Sequence, residues 1–341
     1  MKQINTVDAV GHVICHDITK IVKGGMKGVA FKKGHVVREE DIEELLSIGK
    51  EHLYVWECDD TMLHENDAAA VLVALCKNEG MEETPVKEGK IELIAEREGL
   101  YMIDVDRLDE INELEEIMVS SIHTYTPVKK GDKLLGTRII PLTIKKDKLE
   151  EAKKAAGSEP IAKLLPYKMK TAAVITTGSE VFFGRIKDTF TPVIISKLER
   201  FGIEVTHHKI VNDEKENIVS AIHEMKAAGV DMILCTGGMS VDPDDMTPGA
   251  IKEAGANIIS YGAPVLPGAM FLLGYFEDDT PIMGLPGCVM YTKATIFDLM
   301  LPRVCAGVKM TKKEIARMGH GGFCTGCTPC TFPHCAFGKG V

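Results

Sequence analysis

Between residues 171 and 304 short apolar runs and amphipathic segments take turns, and this alternation constrains the fold more than any other feature of the chain. "TAAVITT" (171–177) is almost continuously apolar, as a strand covered on both faces must be. "TPVIISKLERFG" (191–202) reads as a helix with Thr191 as cap, Pro192 in its first turn and Gly202 past its end. Further strands are predicted over 203–211, 230–236, 257–262 and 281–285, and further helices over 213–229, 247–255 and 289–301. Strands joined through helices imply a mostly parallel sheet in a three-layer α/β/α domain, here 170–308. In such a sheet ligands sit outside the carboxyl ends of the strands.

Three of these strands run into glycine turns, "TTGSE" from Thr176, "TGG" from Thr236 and "LPGC" from Leu285. Backbone N–H groups there can hold a phosphate without a basic side chain. No Walker A loop or GxGxxG fingerprint is present, so nucleoside triphosphates and dinucleotides have no motif behind them. The same edge gathers Glu180, Asp188, Asp213, Asp242, Asp244 and Asp245. Carboxylates beside a bound phosphate suggest Mg²⁺, which takes oxygen ligands and bridges protein to phosphate. Plainer roles compete: Asp213 as a cap ahead of Glu216, Thr247 as a helix cap before Pro248, and Asp242 or Asp244 as an Asx turn around Pro243. His207 and His208 read as strand residues, Cys235 as a small core residue and Trp56 as packing. Cys288 is a thiolate candidate at the ligand edge.

Upstream, residues 1–165 read as an α+β module. A helix over 38–49 stops at Gly49, a second starts at Asn66 or Asp67, and a strand-rich stretch with a small sheet or barrel-like part runs to about 145. A charged helix over 145–157 reads as the connection to the next domain. Downstream, 309–341 form a tail with Cys324, Cys327, Cys330 and Cys335, a spacing that suits four thiolates around zinc or an iron–sulfur cluster. A reversible redox pair is the alternative. The formal charge of −10 argues against nucleic acid as partner. No apolar run approaches the ~18 residues of a membrane span. The opening lacks a signal-peptide pattern, so a cytoplasmic location with reduced cysteines is expected.

"TTGSEVFFGRIKDTF", "VNDEKENIVSAI", "DMILCTGGMSVDPDDMTPGAIKEAG" and "IMGLPGCVMYTKATIFDLMLPRV" resemble, in this order, the molybdopterin-binding domain family of molybdenum-cofactor biosynthesis. "TVDAVGHVICHDIT" and "FKKGHVVREEDIEELLSIGKEHLYV" resemble the opening of its molybdenum insertases. The resemblance implies that Thr177, Gly178, Ser179, Glu180, Gly237, Gly238, Ser240, Pro286 and Gly287 bind the pterin and its phosphate. It gives Asp213 and Asp245 to catalysis, and Asp188, Asp242 and Asp244 to Mg²⁺ or molybdate. The implied activity is Mg²⁺-dependent transfer of molybdate onto adenylylated molybdopterin, by a homodimer that meets molybdoenzymes or cofactor-pathway proteins. Phe190 stands where the family has Asn, and Asp242 where it has Gly. Val265–Met270 carry none of the expected lysines, and Cys288 and Val289 replace Asn-Pro. Those losses favour two alternatives, a non-catalytic cofactor carrier or sensor with a metal-binding tail, and a nucleotide pyrophosphatase of the related competence-damage group.

Overall fold

The computed structural model describes residues 2–20, 28–55 and 61–340; Trp56 lies outside them. The chain divides into two compact units that meet in sequence at Leu164 and Leu165. No helix among the described residues is long and apolar enough to cross a membrane.

In the first unit, residues 2–55 pair Lys2–Asn5 with His52–Val55 and Ile18–Lys20 with Gly28–Phe31. With the helix Asp41–Ser47 they enclose a small core of Ala9, Ile14, Ile18, Phe31, Leu45 and Leu53. That helix ends before Gly49, which takes φ +77°. The remainder holds a four-stranded antiparallel sheet in the spatial order Met81–Glu83, Ile91–Ala95, Lys133–Ile139, Ile117–Ser121. Leu72 and Val73 from the helix Glu65–Cys76, and Leu149 and Ala152 from the helix Lys146–Ala156, pack with Leu93, Val119 and Leu135 of this sheet in one core. Two expectations change here. The helix expected from Asn66 begins at Glu65, because the His64 ring accepts the Asn66 N–H at 3.2 Å. The charged helix is not a connection, since Leu149, Ala152 and Ala156 bury it in the first unit's core.

The second unit is built on six strands, β1 (Thr171–Thr177), β2 (Glu204–Val211), β3 (Met232–Thr236), β4 (Asn257–Tyr261), β5 (Leu272–Tyr275) and β6 (Pro281–Leu285). They lie in the order β2-β1-β3-β6-β5-β4. β2, β1, β3 and β6 are parallel, while β5 runs antiparallel to both neighbours. The helices are α1 (Ser179–Phe182), α2 (Thr191–Glu199), α3 (Lys215–Ala227), α4 (Thr247–Glu253), α5 (Ile296–Cys305) and α6 (Lys312–Arg317). Period-two alternation sorts each strand between two cores. Ala172, Val174, Met232, Leu234 and Met283 pack with Ile194 and Leu198 of α2 and Phe297 and Met300 of α5. Ala173, Ile175, Ile233, Cys235 and Ile282 pack with Ile218, Ile222 and Met225 of α3 and Ile251 of α4. This is the three-layer α/β/α arrangement.

Two departures from the sequence reading have physical causes. "LLGY" forms β5, and a loop without a helix joins it to β4, so the two strands can only be antiparallel. The helix expected over 289–301 begins at Ile296, because Thr295 and Asp298 form a capping box; Gly287–Met290 make a 3₁₀ turn instead.

Candidate functional site

The turn after β3 is fitted against the end of β1. Gly237 and Gly238 take φ +84° and +54°, and a Cβ on Gly237 would stand 2.2 Å from the Thr177 carbonyl oxygen. Thr247 closes the arrangement from the start of α4. Its hydroxyl donates to the Gly237 carbonyl at 2.9 Å and lies 3.2 Å from Thr177 Oγ1, and its N–H reaches the Gly238 carbonyl at 3.3 Å. The expected helix-cap role is corrected, since the cap position falls to Met246 and the buried Thr247 side chain latches the glycine pair. Met239 then packs over Gly284, where a Cβ would come within 2.4 Å of its Cε, and so ties this turn to β6. The N–H groups of Gly238, Met239 and Ser240 donate to no acceptor among the described residues. The Thr236 hydroxyl, at the carboxyl end of β3, is buried without a hydrogen-bond partner.

The turn after β1 is held from β2. Gly178 N–H donates to Val211 O at 3.2 Å, and Ser179 N–H donates to Asp213 Oδ2 at 2.7 Å. Asp213 therefore joins two strand ends and does not cap α3, whose cap position is Glu214 without a side-chain bond. Glu180 folds back, and its Oε1 would stand 2.9 Å from a Cβ on Gly178. Asp188 accepts the N–H groups of Phe190 and Thr191 and the Thr191 hydroxyl, at 2.8, 3.0 and 2.6 Å. It replaces Thr191 as the cap of α2. Burial pushes the Asp188 carboxyl up, but the bonds from Thr191, Phe190 and Thr176 outweigh it, and its pKa lies below the ordinary carboxylate value. His208 joins this group, with Nε2 3.1 Å from both Thr176 and Thr191 hydroxyls and 3.4 Å from Asp188. The sequence reading set His208 aside and missed Thr176; only the folded pairing of β1 with β2 brings them to Asp188.

The acidic loop is a local structure. Asp245 accepts the Asp242 N–H at 3.1 Å, and its own N–H returns to Asp242 O at 3.0 Å. Tyr261 supports the loop, its hydroxyl reaching Met239 O at 3.1 Å and Ser240 O at 3.0 Å. Asp242 and Asp244 are exposed. In the third turn Pro286 is buried, while Gly287 has an ordinary φ and open space where its Cβ would be, so glycine is not required there. The Thr189 hydroxyl donates to Met290 Sδ at 3.1 Å and joins this turn to the approach of α2. Phe183, Val241 and Tyr291 stand exposed on the three turns, with the exposed cations Arg185 and Lys187 beside them.

The thiolate expectation for Cys288 is corrected, and the candidate metal ligands lie apart. Among the described residues no three His, Cys, Asp or Glu side chains gather into a metal-ligand group. Asp188 already accepts hydrogen bonds on both oxygens, and Asp242 and Asp244 face solvent, so these three do not make a carboxylate cage. Cys324, Cys327, Cys330 and Cys335 are not brought together as a four-thiolate set either. Burial raises the Cys288 thiol above its ordinary value and keeps it protonated, contrary to the thiolate reading. Cys235 is the core residue expected, its thiol pushed up to about 12 by burial. A cavity of about 500 Å³ lies at the opposite, amino edge of the sheet, lined by Lys168, Lys226, Lys309, Tyr275, Asp278 and Asp279.

Glycine turns with unspent N–H groups at the carboxyl edge of a parallel sheet are the main-chain donors that an anionic ligand of an α/β domain would need. Residues 173–306 match the family described as "Probable molybdopterin binding domain". Residues 3–57 match a domain of unknown function. The molybdopterin molybdenumtransferase of Synechococcus elongatus is 26% identical over 190 residues, 52% of this chain and 45% of that one. A CinA-like protein of Desulfosudis oleivorans is 40% identical over 83 residues, 24% of this chain and 20% of that one. The matched stretches thus span less than half the length of these curated relatives. Among solved structures, the tungsten cofactor synthesizing protein MoaB of Pyrococcus furiosus is 23% identical with a TM-score of 0.35, over 42% of this chain and 98% of that one.

Proposed function

We propose that the second unit binds molybdopterin at the carboxyl edge of its sheet, as a step of molybdenum-cofactor biosynthesis, and that it supports insertion of molybdate into the adenylylated form. One observation carries this reading: the Gly237–Gly238 turn, locked by Thr247 against Thr177, leaves N–H groups without acceptors among the described residues at the carboxyl edge of the sheet, where α/β domains take ligands. Hydrogen bonds from such N–H groups to a phosphate are worth about 1.5–3 kcal/mol each, and a fixed turn avoids the entropy of ordering them. The unpartnered Thr236 hydroxyl is a further polar group at this edge left unused by the protein. Arg185 and Lys187 supply positive charge that the Val265–Met270 loop lacks, and the exposed rings of Phe183 and Tyr291 offer flat apolar faces to a pterin. Bound molybdopterin would bring the dithiolene that carries the metal; the chain's own part is to hold, orient and charge-balance it.

Purified protein titrated with molybdopterin, followed by pterin fluorescence, tests binding. The reading expects saturable retention that Gly237→Ala abolishes, and no saturation in the wild type contradicts it. AMP release from adenylylated molybdopterin on addition of Mg²⁺ and molybdate tests insertion separately. Retention without AMP release leaves a carrier, while hydrolysis of unrelated small nucleotides with no pterin retention turns the reading to a nucleotide hydrolase.

A further inference from the structure

The cysteine tail is not absorbed by the rim of the sheet, and the structure divides its thiols into two kinds. Cys324 and Cys335 are half-buried and pack against the core around α5. Cys327 is exposed, and Cys330, half-buried like Cys324 and Cys335, lies on the loop between them without joining that core. The loop is clamped at its base. Gly338 N–H donates to Gly321 O at 2.9 Å, and Gly338 lies against Leu299, where a Cβ would meet Cδ2 at 2.3 Å. Phe337 is buried, with the Phe332 ring 6.2 Å away. Leu266 N–H donates to Gly322 O and Cys324 N–H donates to Leu266 O, both at 2.8 Å, which fixes the first arm to the loop between β4 and β5. At the tip, "CTPC" sets Cys327 and Cys330 three residues apart, with Cys327 Sγ 3.8 Å from the Thr331 hydroxyl.

We infer that Cys327 and Cys330 form a surface dithiol that exchanges with low-molecular-weight disulfides, whereas Cys324 and Cys335 are structural. A clamped base carries a tip whose two cysteines are separated by two residues, with the first thiol in solvent where a small disulfide can reach it. The Cys327 sulfur attacks one sulfur of a small disulfide and expels one thiolate. The Cys330 sulfur, having given up its proton, displaces the second. One S–S bond breaks and one forms, two electrons pass from the protein to the small disulfide, and two small thiols leave with the protein's two protons.

The test equilibrates the reduced full chain with glutathione buffers of rising disulfide content, without metal, and then counts and maps alkylatable thiols. The expected result is the loss of two thiols, mapped to a Cys327–Cys330 bond and restored by dithiothreitol. Cys330→Ser should instead trap one glutathione on Cys327, and Cys324→Ser should leave the bond forming at the same disulfide ratio. No loss of thiols at any ratio, or a bond that recruits Cys324 or Cys335, would overturn the inference. So would a metal ion that the purified chain keeps on all four thiols.

Discussion

The two edges of the second unit's sheet differ in what they leave unpaired. At the amino edge the cavity of about 500 Å³ is the more obvious hollow, yet both of its exposed-loop aspartates are taken up by lysines, Lys226 with Asp278 and Lys309 with Asp279. At the carboxyl edge the N–H groups of Gly238, Met239 and Ser240 and the Thr236 hydroxyl find no partner among the described residues. The difference teaches that a ligand edge is marked by hydrogen-bonding capacity the protein does not use itself, more than by the volume of a hollow.

Breaking the carboxyl edge should have the largest effect. Gly237→Ala forces a Cβ against the Thr177 carbonyl at a positive φ, and a strained residue of that kind costs about 1–3 kcal/mol before the clash is counted. Thermal unfolding should show the loss of stability, and a pterin titration should show binding reduced by more than tenfold. Thr247→Val keeps shape but removes the hydroxyl bond to Gly237, leaving a partly buried carbonyl short of a donor at about 1 kcal/mol or somewhat more. Binding should fall about tenfold, the factor that ~1.4 kcal/mol represents. Asp188→Ala removes the cap of α2 and should lower stability by about 0.5–2 kcal/mol in denaturant melts.

Changes at the amino edge should sharpen the contrast by doing little. Asp278 is held down to about 2 by the Lys226 ammonium. Its folded pKa is below its unfolded value of about 3.9, so the stabilisation is complete above that pH and is lost as pH falls through about 2. The pair is largely exposed, so Asp278→Asn should cost under about 1 kcal/mol at neutral pH. The gap between variant and wild type in circular-dichroism melts should close as the pH drops through that window, with pterin binding at neutral pH unchanged.

The sequence made the parallel strands legible because covered strands such as "TAAVITT" must be continuously apolar, and it placed the three glycine turns at one edge, where the parallel pairing puts them. β5 was not legible: "LLGY" is short, and only its pairing between β4 and β6 shows that it is a strand. The carboxylates misled for a related reason. Their spacing put them on one edge but could not show that Asp213 binds Ser179, that Asp188 caps α2, or that Asp245 folds onto Asp242. Thr247 read as a cap because it precedes Pro248, and its role as a latch depends on Gly237 coming back to it across the turn. Sequence periodicity carries the strands; contacts between distant residues decide what the polar side chains do.

Amide chemical-shift mapping of the full chain with molybdopterin tests the central claim most directly. The account predicts that the largest changes fall on Gly238, Met239 and Ser240, with smaller ones at Ser179 and Glu180. Largest changes at Lys168, Asp279 and Lys309 around the amino-edge cavity, with the glycine turn unmoved, would contradict it.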